Sequence, residues 1–216
     1  LNGQEFRIGG RVKDFRQSLN RKSLKMIIDG RIAGITYEDL LKLGRKDQAI
    51  LSDTTSEQSS SWTYDIDVLL DIDEFYYDHV EFVDNSVDLE WNQKYLDFTV
   101  QTSAFEGALD GRGRLHLKER HELDLMLSTA SINIEELLKG FKNFDQEVVE
   151  YKNLRGKSNT KSVIRVFWND EWTFMPNELQ VYSDLEIIDG ELLGLDMLYA
   201  FSDWIKLRDL MHIKFS

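Results

Sequence analysis

Residues 62–75 read WTYDIDVLLDIDEF. Their alternation of acidic and apolar residues restricts the local fold more than any other stretch of the chain. The acidic residues at alternate positions are Asp65, Asp67, Asp71 and Asp73. An EF-hand calcium loop also spaces carboxylates this way, but it needs a glycine for its sharp turn and a glutamate at its twelfth position. Here Leu69 takes the third alternate position and no glycine follows. Since successive strand residues point to opposite faces, the segment is predicted to be a strand with one acidic and one apolar face.

The same period of two recurs along most of the chain. Every second residue is apolar at 87–91, 96–100, 115–117 and 123–127. Further strands are predicted for FRIGGRV, SLKMIIDGRI, SVIRVFW and ELQVYSDLEII. Many short strands separated by polar turns favour a mainly β chain folded as an antiparallel meander.

Helical signals are few and short, so helices alone cannot cover the apolar faces of about a dozen strands. Thr36 is a candidate N-cap for the helix YEDLLKLG, which would end at Gly44. Asn133 is a candidate N-cap for a second helix, IEELLKGF. The third candidate helix is LDMLYAFSDWI. The apolar faces then need a second packed sheet, a closed barrel, or an open curled sheet that encloses something apolar other than protein. From the pattern alone, a closed β-sandwich or barrel is the default.

Residues 52–61, SDTTSEQSSS, form a polar low-complexity stretch that is predicted to be a mobile loop. It separates a strand–helix unit at 1–51 from a β region at 62–216. Each candidate helix follows an apolar strand and a short Gly/Ser/Asn stretch, which indicates a strand-rich unit used more than once. Both ends of the sequence fall within strand-like patterns, and we therefore interpret it as a fragment of a longer chain.

Charge and residue types exclude several classes of function. Acidic residues outnumber basic ones by 39 to 26, for a net charge of -13, which disfavours nucleic acid as a partner. The chain has no cysteine, hence no thiolate for a metal or a nucleophile. His116 and His121 flank a polar turn but have no predicted third ligand, so no metal is expected. No pair of carboxylates stands in a setting typical of a glycosidase, and we expect neither a cofactor nor an enzyme.

Several motifs resemble the C-terminal region of the AsmA-like family of bacterial envelope proteins. They are the stretch Asn143-Phe144-Asp145-Gln146, the step Asn153-Leu154-x-Gly156, the turn Asp189-Gly190-Glu191-Leu192 with the Leu-rich segment and "L..I.F" strand after it, and FEGALDGRGRLHL leading to DLMLSTASINIEELLKGF. The resemblance runs from Trp62 to Ser216 and is closest to members from Bacteroidetes-type bacteria. This chain has Gly194-Leu195-Asp196-Met197 where relatives place an Asn-Phe-Glu-Pro-type step.

The resemblance implies a long gutter-shaped β-sheet in the periplasm, anchored to the inner membrane by a segment outside this fragment. It also implies a non-enzymatic phospholipid conduit or outer-membrane assembly factor, with envelope proteins as further partners. Acyl chains would lie on the alternating apolar residues and the aspartates would face water. The lipid-facing candidates are Tyr64, Ile66, Val68, Leu70, Ile72, Val87, Leu89, Trp91, Leu96, Phe98, Val100, Leu115, Leu117, Leu123, Leu125 and Leu127. The alternative is a closed β-sandwich module that binds envelope proteins or glycans.

Overall fold

A computed structural model describes residues 6–13, 22–42, 63–117, 121–145, 147, 149–194 and 212–215. The strands are β1 (Phe6–Lys13), β2 (Ser23–Thr36), β3 (Thr63–Tyr77), β4 (Val80–Asn92), β5 (Tyr95–Ala104), β6 (Gly107–His116), β7 (His121–Asn133), β8 (Leu154–Trp168), β9 (Gln180–Leu193) and β10 (His212–Phe215). Residues 37–42 are helical, Ile134–Gly140 form an α-helix, and Pro176–Glu178 form a 3₁₀ turn. Lys142–Asp145 form a turn in which all four residues have positive φ.

The ten strands form one sheet in the order β1-β2-β3-β4-β5-β6-β7-β8-β9-β10. The sheet is open, because among the described residues β1 pairs only with β2, and β10 only with β9. The predicted fold class, mainly β with an open curled sheet, is therefore confirmed. The alternative of a closed sandwich is not what the described strands form. Residues of both predicted regions, 1–51 and 62–216, contribute strands to this sheet.

One strand pair departs from the predicted antiparallel meander. β2 and β3 are parallel, with Ser23 opposite Thr63 and Thr36 opposite Tyr76, whereas every other neighbouring pair is antiparallel. A parallel pair needs a crossover of a dozen or more residues. Residues 37–62 provide that length, beginning with the helical turn at 37–42.

The Asp189-Gly190-Glu191-Leu192 stretch was predicted to be a turn, and this was wrong. β9 continues through it to Leu193. Asp189 has a φ of 51°, and the register with β8 shifts between Arg155 and Lys157. A β-bulge of this kind admits one extra residue and bends the strand without ending it.

Two predicted helix caps are confirmed by hydrogen bonds. The Asp39 backbone N–H donates to Thr36 Oγ1 at 3.2 Å, and the Glu136 N–H donates to Asn133 Oδ1 at 3.2 Å. Both satisfy backbone donors that the first helical turn leaves without a partner. Gly44, the third candidate helix and the polar stretch 52–61 lie outside the described residues.

The buried core of the described residues is small and lies mostly towards one end of the sheet. We call this the helical end; β2, β3, β5 and β7 finish there, and the helices at 37–42 and Ile134–Gly140 follow β2 and β7. Ile32, Ile35 and Ile72 form a buried cluster near it, with Ile35 only 1% exposed. Ile132 and Ile134 are buried where β7 enters its helix. Burial of this extent is confined to a few positions, as expected for a single-layer sheet.

Candidate functional site

The register of the strands places all the alternating apolar residues on one side of the sheet. One row of directly opposed residues runs Ile28, Val68, Leu89, Phe98, Gly113, Leu125, Ile164 and Val181. The rows beside it contain the other predicted lipid-facing residues of β3 to β7, from Tyr64 to Leu127. Leu117 follows the end of β6 and is half-buried. We call this side the apolar face.

The opposite side, the charged face, carries the aspartates and their cross-strand partners. Asp65 and Asp71 are exposed. Lys25 pairs with Asp67 at 3.4 Å and Arg31 with Asp73 at 2.9 Å. On the later strands the ion pairs are Arg114–Asp97 at 2.6 Å and Arg165–Asp124 at 2.8 Å. Arg114 hydrogen-bonds the Asp97 carboxylate and thereby lowers its pKa.

In the middle of β3, β7 and β8, adjacent residues on the same strand show that the apolar face is the more enclosed of the two. On the charged face, Leu69 is 46% exposed, Met126 49% and Val163 48%. Their neighbours on the apolar face, Leu70, Leu127 and Ile164, are all half-buried. A second layer of protein would bury such side chains fully, as it buries core residues in sandwiches. The apolar face is therefore partly sheltered yet open over most of its length.

Polar side chains on the apolar face have their hydrogen bonds satisfied within the sheet. Asn85 Nδ2 donates to the carbonyls of Ile72 and Phe82, and Thr102 Oγ1 donates to Asn85 Oδ1 at 2.7 Å. Ser162 Oγ and Ser183 Oγ lie 2.7 Å apart. Since a buried polar group is costly only when it lacks a partner, these residues do not interrupt the apolar character of the surface.

Glycines of β6 create a narrow strip along the apolar face. Gly107 lies against the backbone of Ala130 and Ser131, and the ring of Phe98 covers Gly113, where a Cβ would lie 2.6 Å from Phe98 Cζ. A Cβ at Gly111 would meet no atom within 4 Å. Gly107 and Gly113 therefore allow a close approach of neighbouring groups, whereas Gly111 leaves open space on this face.

An aromatic rim crosses the helical end of the sheet beside the buried isoleucines. It consists of Tyr37, Phe75, Tyr77, Phe82, Phe105, Phe141 and Phe144. Neighbouring ring centroids are 5.2–6.5 Å apart, the range of favourable aromatic pairs. Phe75 also packs on the buried cluster. The rim therefore joins the helices to the sheet.

The charged face also has concavities. An open depression of about 770 Å³ spans β5 to β9 and is lined by groups of both signs, among them Asp110, Arg112, Lys161 and Asp184. Met126, Val163 and Tyr182 lie side by side in the same depression, so its lining combines charged groups with apolar ones.

The histidines considered as metal ligands do not converge. His116 Nε2 lies 3.8 Å from Asp124, whereas the His121 ring stacks on Trp172 with centroids 3.8 Å apart. In the part of the chain that the structure describes, no group of three or more His, Asp or Glu side chains is placed to hold an ion. No helix among those residues has the length and hydropathy to cross a bilayer.

The apolar face includes residues that the sequence did not single out. Met26 and Ile28 of β2, Ile164 and Val166 of β8, and Val181 of β9 share it. The segments that contain them, MII, VIRVF and LQVY, do not alternate strictly, so periodicity could not assign their faces.

Comparisons with protein-family models, curated proteins and solved structures find no match for this chain.

Proposed function

We propose that this chain is a segment of a periplasmic AsmA-like protein and that its apolar face conducts phospholipid without enzymatic chemistry. The supporting observation is one open sheet whose apolar face runs across β2 to β9, with large side chains that stay half-buried along most of it. The resemblance of the C-terminal motifs to the AsmA-like family adds the envelope location and the class of lipid.

The chemistry of the face suits passive movement of acyl chains. Each methylene group removed from water is worth about 0.8 kcal/mol, so an acyl chain leaves the bilayer only for another apolar surface. Transfer between two apolar environments is close to neutral in free energy, which allows a lipid to move on as readily as it enters. The headgroup would stay in water at the open side of the sheet, because no buried cation on the apolar face is placed to hold it among the described residues.

The test compares two substitutions at adjacent positions of β7. Leu125 is half-buried on the apolar face and Met126 is 49% exposed on the charged face. Leu125→Glu and Met126→Glu add the same charge to the same strand, so they differ only in the face that receives it. Each variant and the parent chain are purified from a bacterial host, and bound lipid is measured by native mass spectrometry and by extraction.

We expect phospholipid on the parent chain and on Met126→Glu, and its loss from Leu125→Glu. Val100→Thr adds a hydroxyl to the apolar face with little change of shape, and it is expected to weaken lipid binding even if Leu125→Glu does not fold. A parent chain free of lipid after gentle purification would contradict the proposal, as would equal lipid content in the two glutamate variants.

A further inference from the structure

The turn between β8 and β9 folds a tryptophan ring onto the apolar side of the sheet. His121 begins β7 and lies directly opposite Trp168 at the end of β8. Both residues share the apolar face with Leu123, which is two residues along β7 from His121. The ring of Trp172 stacks on that of His121, with centroids 3.8 Å apart and planes inclined by 12°. The turn therefore places an indole beside the apolar face, at the end of the sheet opposite the helical end.

Hydrogen bonds within the turn hold this indole in place. Asn169 Oδ1 accepts from the backbone N–H of Glu171 at 3.0 Å and from that of Thr173 at 2.8 Å. The Trp172 N–H donates to the Asn169 carbonyl at 2.9 Å. Trp172 has a φ of 59°, which a bulky residue adopts only where its surroundings enforce it. The ring is thus held in one position before any ligand arrives.

One face of the Trp172 ring is open to solvent. Trp172 is 48% exposed, and because His121 covers one face of the ring, the exposed area lies largely on the other face and the outer edge. The ring lies over β7, an inner strand with β6 and β8 as neighbours. A strand added at either edge of the sheet would therefore not cover it.

The chain segment that carries this ring is acidic. Residues 167–182 include Asp170, Glu171 and Glu178 but no lysine, arginine or histidine. Asp170 and Glu171 directly precede Trp172, and both are exposed. The face of an aromatic ring attracts cations through its quadrupole, and tryptophan does so best. Carboxylates nearby add to that attraction and repel anions. An ammonium group is therefore the ligand chemistry that this ring favours.

We infer that Trp172 holds the ammonium group of a phospholipid headgroup whose acyl chains lie on the apolar face. This inference rests on the proposed function and adds the class of lipid to it: a headgroup with an ammonium group is preferred to one that is only anionic. A strand advances about 3.3 Å per residue, which places Leu123 and Leu125 about 7 and 13 Å along β7 from His121. A headgroup at the Trp172 ring is therefore next to the surface on which the acyl chains lie.

Vesicles with equal amounts of phosphatidylcholine and phosphatidylglycerol, which carry the same acyl chains, test this preference. The delipidated chain is incubated with the vesicles and separated from them, and its bound lipids are extracted and quantified by mass spectrometry. The parent chain should bind more phosphatidylcholine than phosphatidylglycerol. Trp172→Asn should lower that ratio about 2- to 5-fold, the range of an exposed cation–π contact. The substitution leaves the net charge unchanged, and asparagine tolerates the positive φ of this turn.

Two further variants serve as controls. Trp172→Phe keeps an aromatic ring and should retain part of the preference. Phe144→Ser removes a ring that is 58% exposed at the helical end, and it should leave the ratio unchanged. A ratio that Trp172→Asn does not lower, or that Phe144→Ser lowers as much, would overturn the inference.

A soluble headgroup separates this inference from the proposed function. Glycerophosphocholine and glycerophosphate share a phosphate, but only the first has an ammonium group. The indole N–H signal of Trp172, identified by its loss in Trp172→Asn, should shift in NMR titrations with glycerophosphocholine and not with glycerophosphate. Equal shifts, or none, would overturn the ammonium site even if the chain takes up lipid. A shift with glycerophosphocholine alone, in a chain that takes up no lipid, would support the ammonium site and contradict the conduit.

Discussion

Two glycines on the apolar face of β6 give opposite predictions for the same substitution. A Cβ at Gly113 would lie 2.6 Å from Phe98 Cζ and 2.7 Å from the Asp124 carbonyl oxygen, whereas a Cβ at Gly111 would meet nothing within 4 Å. The phenyl ring can turn aside, but the carbonyl belongs to a paired strand and cannot. Gly113→Ala should therefore strain the sheet, and Gly111→Ala should not.

The magnitudes follow from two separate effects. Replacing glycine by alanine stabilises a protein by about 0.4–1 kcal/mol through the unfolded chain, and both variants share this gain. Overpacking costs about 1–3 kcal/mol and applies only to Gly113→Ala. The two free energies of unfolding should therefore differ by about 1–3 kcal/mol, with Gly111→Ala the more stable.

The comparison is made by urea denaturation of both variants and of the parent chain, followed by circular dichroism and by tryptophan fluorescence. Agreement of the two probes shows that unfolding is a two-state process, for which the free energies are defined. A difference below about 0.5 kcal/mol would refute the close approach of the Asp124 carbonyl to Gly113 and the β6–β7 register that produces it.

Two further predictions concern a helix cap and an ion pair. Asn133→Ala removes the acceptor for the Glu136 N–H and should destabilise the chain by about 1 kcal/mol in thermal or urea unfolding, while Asn133→Asp should retain most of the stability. Arg114 lowers the pKa of Asp97, so the pair stabilises the fold above the ordinary pKa of about 3.9, and that stabilisation disappears as the pH falls through the lower folded pKa. Asp97→Asn should lose about 0.2–1 kcal/mol at pH 7 and become no less stable than the parent near pH 2 in pH-dependent unfolding, and an equal deficit at both pH values would contradict the assignment.

The alternation of side chains was sufficient to predict β3 to β7, and the faces of their apolar residues, from the sequence. Every second residue from Tyr64 to Ile72 is apolar, and this spacing places a side chain on the same face whatever its neighbours are. Helix caps were predictable for the same reason, since Asn133 acts on a backbone N–H three residues away. Local patterns of this kind need no knowledge of the tertiary fold.

Features that depend on which strands meet were not predictable. Parallel and antiparallel strands show the same alternation of side chains, so the sequence pattern could not indicate that β2 and β3 pair in parallel. The first half of β8, from Leu154 to Lys161, was missed because its apolar-face positions include Gly156 and Ser158. The aromatic rim joins Phe105 in a turn to Phe141 after a helix, and only the folded chain brings those rings together.

The most direct measurement of the central claim is methyl NMR of the chain with a phospholipid that bears a nitroxide on its acyl chain. Signals of Leu70, Leu127 and Ile164 on the apolar face should broaden strongly. Those of their neighbours Leu69, Met126 and Val163 should broaden little, because they point to the charged face. Equal broadening of both sets, or stronger broadening of the charged-face set, would contradict an acyl chain lying on the apolar face.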